Sequence, residues 1–166
     1  IFESGAWSEN GMILENDNDL DETLYEPHFT EITSPDQVQI YESIIGDPNG
    51  LVTTTLLRAH AYVKDNRLLP SGFDKISADP AIAVLGEAAE NNNFIAGGDQ
   101  IIYRIATNGA QGPFTVQVEL LYQTIGFRWS EKFRGEQNPE GSEFYAYADS
   151  SQNLPVIIAS QTIQVE

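Results

Sequence analysis

Cysteine is missing from this 166-residue chain, so it holds no disulfide, no thiolate metal site, no cysteine nucleophile and no C-x-x-C-H haem attachment. Cations are scarce: 8 Lys and Arg stand against 25 Asp and Glu, a formal net charge of -17. Phosphate neutralisation needs clustered Lys and Arg, which excludes a general nucleic-acid surface and disfavours anionic membranes. Divalent cations, basic proteins and neutral ligands are the partners such a charge favours. Only two histidines occur, His28 and His60, too few for a three-histidine zinc site. No apolar run reaches the length that spans a bilayer, so no membrane insertion is expected. Neither an initiator Met nor a signal-peptide pattern precedes Ile1. "IFESGAWSENG" reads as the end of a strand entering a turn, which suggests a processed protein or a piece of a longer one.

Apolar residues make up 41% of the chain and aromatics 10%, enough to fold one ordinary domain. No repeat and no Pro/Gly/Ser linker divides it, so residues 1–166 are expected to form a single domain. Strand patterns dominate. "PFTVQVELLYQ" sets Phe114, Val116, Val118, Leu120 and Tyr122 on one face and Thr115, Gln117 and Glu119 on the other. "LRAHAYVK" alternates Leu57, Ala59, Ala61 and Val63 against Arg58, His60, Tyr62 and Lys64. "VQIYESII", "QIIYRIAT" and "PVIIASQTIQVE" are rich in β-branched residues, and "TNGAQGP" reads as a hairpin connection. A helix is predicted in "SEFYAYADSSQN", from about Phe144 to Asn153 with Ser142 as its cap. Many short strands separated by turns predict an all-β fold, an antiparallel β-sandwich of immunoglobulin-like or jelly-roll-like kind, with a partly open barrel as the alternative.

Three places invite chemistry. From Glu15 to Glu22, seven of eight residues carry side-chain oxygens, the donor type that calcium takes. Asp17, Asp19 and Asp21 alternate as the first ligands of an EF-hand do. Glu22 stands where the tight-turn glycine belongs, however, and His28 where the bidentate glutamate belongs, so an EF-hand is excluded. A loop site for calcium on a β-scaffold remains, using Asn16, Asp17, Asn18, Asp19, Asp21 and Glu26; the competing reading is a solvated Asn/Asp turn. The second place is "YEPHF", where His28 follows a rigid proline as either a ligand or a packed turn histidine. The third is "YQTIGFRWSEKF", with Tyr122, Phe127, Trp129 and Phe133 beside Arg128, Lys132 and Arg134. It reads as core with a cationic rim or as a binding patch. No G-x-S-x-G elbow and no phosphate loop is present.

The segments "IFESGA", "NDND", "EPHF", "QVQIYESIIGD", "TTTLLRAHAYVKDNRLLPSGFDK", "AVLGEAAENNNFIAGGDQIIYRI", "GPFTVQVELLYQTIGFRW" and "FYAYADSS" occur in this order. Together they resemble the haem-free C-terminal region of bacterial multihaem c-type cytochromes. The resemblance covers nearly the whole chain and is strongest over "LLRAHAYVKDNRLLPSGFDK". It implies haem c in an upstream region only, and export to the periplasm or the cell surface. Partnership with the haem-bearing portion of the same or an associated polypeptide follows from it too, with His28 as a candidate axial haem ligand. The chain departs from the family in having no haem motif, so electron transfer cannot be its own work. The expectation is a non-catalytic accessory domain with a structural calcium loop. The runner-up is a carbohydrate-binding module presenting aromatic side chains to a polysaccharide; an acid-base glycosidase is a third reading, kept because carboxylates abound.

Overall fold

The computed structural model describes residues 1–16, 19–135, 137–151 and 153–166. The chain divides into two compact units, one made of Ile1, Ala6–Ile13 and Ile105–Glu166, the other of Phe2–Gly5 and Leu14–Arg104.

The second unit is mostly irregular chain around short elements. Strand β1 (Glu31–Ile32) pairs parallel with β4 (Ile102–Tyr103), and β2 (Ser43–Gly46) pairs antiparallel with β3 (Ala61–Asp65). A one-turn helix, α1 (Glu87–Glu90), lies between β3 and β4. The apolar core gathers Val84, Ala88 and Phe94, with Tyr41, Leu69, Phe73 and Ala89 packed against them. Lys75 closes the end of α1, its Nζ donating to the carbonyls of Ala88 and Asn91 at 3.1 and 2.6 Å.

The first unit is built on a long ribbon. Strand β5 (Phe114–Tyr122) pairs antiparallel with β6 (Val156–Val165), from Phe114 opposite Val165 to Tyr122 opposite Val156. Residues directly opposite share a face. The β6 partners Val165, Ile163, Ala159 and Val156 therefore join the apolar set of β5, with Gln161 their single polar member. Thr115, Gln117 and Glu119 share the other face with Gln164, Thr162 and Ser160. At the base of the ribbon, the Gln123 side chain donates to the carbonyls of Gly11 and Asn153 at 2.8 and 2.9 Å. Gly11 has φ +86, and a Cβ there would sit 2.6 Å from the Asn153 carbonyl oxygen, so only glycine fits. Between the strands run α2 (Phe127–Glu131) and α3 (Pro139–Ser150); Phe133, just past α2, meets Phe144 of α3 edge-on with centroids 5.0 Å apart.

The expected antiparallel sandwich is not what forms. Among the described residues the six strands pair only in twos, and with three helices the architecture is a small mixed α/β one. "QIIYRIAT" and "VQIYESII" keep only two and three residues as strand. "TNGAQGP" joins β4 to β5, which do not pair, so it is no hairpin. The helix begins earlier than expected: Asn138 caps α3 by accepting from the Gly141 amide at 2.6 Å, with Pro139 in its first turn. Ser142 lies inside that turn and donates to the Asn138 carbonyl instead.

Candidate functional site

The side chains best suited to chemistry converge in the second unit. Pro27 leads into His28, which the irregular chain brings against Gln39, Asn66, Asn91 and Asp99. His28 is 4% exposed, and Phe94 covers one side of it with ring centroids 4.9 Å apart. Its Nδ1 lies 2.8 Å from the Gln39 amide nitrogen and 3.2 Å from that of Asn66; its Nε2 lies 2.9 Å from that of Asn91.

The direction of each amide is set by the backbone. The Gln39 oxygen accepts from the Phe29 amide at 2.8 Å, the Asn66 oxygen from Glu42 at 2.9 Å, and the Asn91 oxygen from Asn93 at 2.9 Å. All three therefore turn N–H groups toward the ring. A neutral imidazole offers one lone pair to such donors, at Nδ1 or at Nε2 but not at both, and an imidazolium offers none.

Asp99 is 3.8 Å from Nε2, a separation at which an ion pair could form, yet burial outweighs its pull and lowers the His28 pKa below the ordinary value. Lys64 and Lys75 push the same way as burial, while Glu87 opposes it with Asp99. Asp99 is engaged elsewhere, accepting from the Tyr41 hydroxyl at 2.7 Å. Burial and that bond hold the Tyr41 phenol well above its usual range.

A consequence is measurable. With a folded pKa below about 6.5, His28 binds its proton more readily in the unfolded chain. Its stabilising contribution is full above the unfolded pKa and is lost as pH falls from there through the folded pKa. Unfolding free energies from urea titrations, measured down from neutral pH, should fall faster in the native protein than in His28→Gln, by up to about 1.4 kcal/mol per pH unit. Parallel curves would show that this histidine does not titrate on unfolding.

Beside the imidazole, Lys64 is wholly buried, and its Nζ donates to the Glu26 carbonyl at 2.6 Å, the Ile40 carbonyl at 3.1 Å and Glu42 Oε1 at 3.0 Å. The strand alternation put Lys64 on a solvent face. The register shift between Ile44 and Ile45 leaves Val63 bulged, which turns Lys64 and Asp65 inward.

The residues considered for calcium are differently placed. Asn16 donates its backbone amide to the Asp36 carbonyl, and Asp21 accepts from the Thr23 amide and hydroxyl at 3.0 and 2.7 Å, an Asx turn. Asp19 is half-buried and Glu26 is buried, 1% exposed. Asp17 and Asn18 lie outside the described residues. Among the described residues, no group of three or more His, Asp or Glu is arranged to hold a metal ion.

In the first unit, the aromatic and basic run folds as α2, with Phe127, Arg128 and Ser130 buried. An open cleft next to it is lined by Glu9, Ser130, Glu131, Arg134, Tyr145 and Asp149. Its cation is already committed: Arg134 forks onto Glu131 at 2.5 and 2.6 Å and lies 4.7 Å above the Tyr145 ring. Sequence reasoning missed the amide ring around His28, since single Asn and Gln residues in loops carry no periodic signal.

Among the described residues, no helix is long and apolar enough to cross a membrane. Comparison of the chain with family models, with curated proteins and with solved structures finds no match.

Proposed function

We propose that the chain is a non-catalytic accessory domain of an exported multihaem c-type cytochrome, docking on the haem-bearing portion of the same or an associated polypeptide in the periplasm or at the cell surface. The haem half of this reading rests on the quoted segments that resemble such proteins. The non-catalytic half is carried by one observation: the His28 ring and the Lys64 ammonium are buried and enclosed by polar groups of their own unit. A general base or nucleophile must meet substrate within hydrogen-bond reach. These groups meet Gln39, Asn91, Glu42 and backbone carbonyls instead. The excess of acid favours a partner with a basic face, through contacts that salt weakens.

The test is to isolate the protein with its companions from its native source and stain for haem after denaturing electrophoresis. The expected result is covalently bound haem in stoichiometric amount, with a Soret absorption in the native complex. Recovery free of haem overturns the reading.

A structural calcium ion on the loop from Asn16 to Asp21 belongs to the same proposal. Calcium at one hundred times its dissociation constant would add about 2.7 kcal/mol, which raises the thermal midpoint by roughly 5–10 °C over EDTA in a chain of this length. Asp19→Ala should abolish the rise. Equal midpoints in calcium and EDTA would leave the loop a solvated turn.

A further inference from the structure

Within its own unit the β5–β6 ribbon has an apolar face with no cover. On that face Val118, Leu120, Tyr122, Val156, Ile163 and Val165 are each between 37% and 55% exposed. Neither strand pairs with any other among the described residues, so both edges are open as well. A lone two-stranded ribbon is marginal in water, and an exposed apolar face of this length marks a contact surface.

We propose that this face is a homodimer interface, occupied by the same face of a second copy of the chain. Charge selects that occupant. Two molecules of net charge -17 repel each other wherever their acidic surfaces meet. The ribbon's nineteen residues, Phe114–Tyr122 and Val156–Val165, carry one charge, Glu119, and it lies on the opposite face. The apolar face can therefore meet its own copy without burying a carboxylate. An identical ribbon also matches it in length and width.

Area sets the strength. Nine or ten residues at about 3.4 Å each, on two strands about 4.8 Å apart, cover roughly 300 Å² per copy and about 600 Å² in all, so the contact is a weak one, smaller than a standard specific interface. The dimer should thus form in the micromolar range rather than below it. It goes beyond the accessory role and does not depend on haem being found.

Sedimentation equilibrium across the micromolar range, at low and at high salt, tests it. The expected result is a monomer–dimer equilibrium that tightens several-fold as salt screens the repulsion of the two acidic bodies, opposite in sign to docking on a basic partner. Ile163→Glu should weaken the dimer about tenfold or more, because it buries an unpaired charge. Thr162→Glu, on the polar face, should leave it unchanged. Should Ile163→Glu fail to fold, Gln161→Glu adds the charge to the same face at a position already polar, opposite Val118. Circular dichroism verifies the fold of each variant. A monomer under all conditions, a dimer that salt loosens, or one indifferent to folded Ile163→Glu and to Gln161→Glu would each overturn the proposal.

Discussion

Phe94→Ala should destabilise the unit Phe2–Gly5, Leu14–Arg104 by about 4 kcal/mol, the cost of emptying a buried aromatic site. Phe94 is 0% exposed and sits in a cluster with buried Val84 and Ala88, against which Tyr41, Leu69, Phe73 and Ala89 pack. Its ring lies nearly parallel to Tyr41, with an interplanar angle of 13° and centroids 6.4 Å apart. It also covers His28 and lies 5.8 Å from the Lys75 ammonium. Phe94→Leu keeps most of the volume and should cost roughly 1 kcal/mol. Urea unfolding followed by circular dichroism separates the two: the midpoint should drop far more for alanine, at a similar slope. Alanine also lets water reach the imidazole, so the burial that lowers the His28 pKa relaxes and the acid-dependent loss of stability should flatten. Equal midpoints for alanine and leucine would refute the account of this core.

Lys64→Met should cost about 3 kcal/mol, at the lower end of what breaking a buried ion pair costs. Methionine fills the space but cannot donate to the Glu26 carbonyl, the Ile40 carbonyl or Glu42. Two details keep the figure low. The Glu42 side chain is 25% exposed and can turn to water, and the Ile40 carbonyl keeps its bond from Asn66 at 2.9 Å. Glu42→Gln retains an acceptor for the ammonium and should cost less than half as much. The double variant Lys64→Met with Glu42→Gln should recover only the Glu42 share, because the Glu26 carbonyl has still lost its donor. Full recovery would mean that the ion pair alone, and not the carbonyl contacts, holds Lys64 inside.

Where the sequence was legible, a single period governed the segment. β5 forms over the nine residues the pattern marks, with Phe114 and Val116 partly buried as expected, but from Val118 on the apolar members are exposed and Glu119 and Leu121 are the partly buried ones. β6 was recognisable from β-branched content, although a register shift between Leu120 and Leu121 interrupts its pairing. Where it was not legible, one residue changed the phase. The bulge at Val63 sends Lys64 inward, while Leu57, predicted to be buried with Ala59 and Ala61, is fully exposed in a 3-10 turn. A one-residue slip moves every following side chain to the other face, and no local signal marks it. The sandwich failed for a related reason: pattern reports that a strand can form but not which strand it pairs with, and the strands here pair only in twos. At the candidate site, packing of His28 was one of the two readings "YEPHF" allowed, and the histidine is buried. Its surrounding amides come from positions 39, 66 and 91, which only the folded chain brings together.

Those separations also say something about how the unit assembles. His28 meets Asn91 across 63 positions, Tyr41 meets Asp99 across 58, and Lys64 meets the Glu26 carbonyl across 38. None of these bonds can form until a long loop has closed, so the entropy of closure comes first and the compensating contacts only afterwards. A half-assembled unit would hold an imidazole and an ammonium in an apolar setting with too few partners, a state of high energy. Folding of this unit should accordingly be slow and all-or-none, and a nascent chain has to carry the Glu26 carbonyl without its ammonium until Lys64 has left the ribosome, and His28 without its full enclosure until Asn91 and Asp99 have.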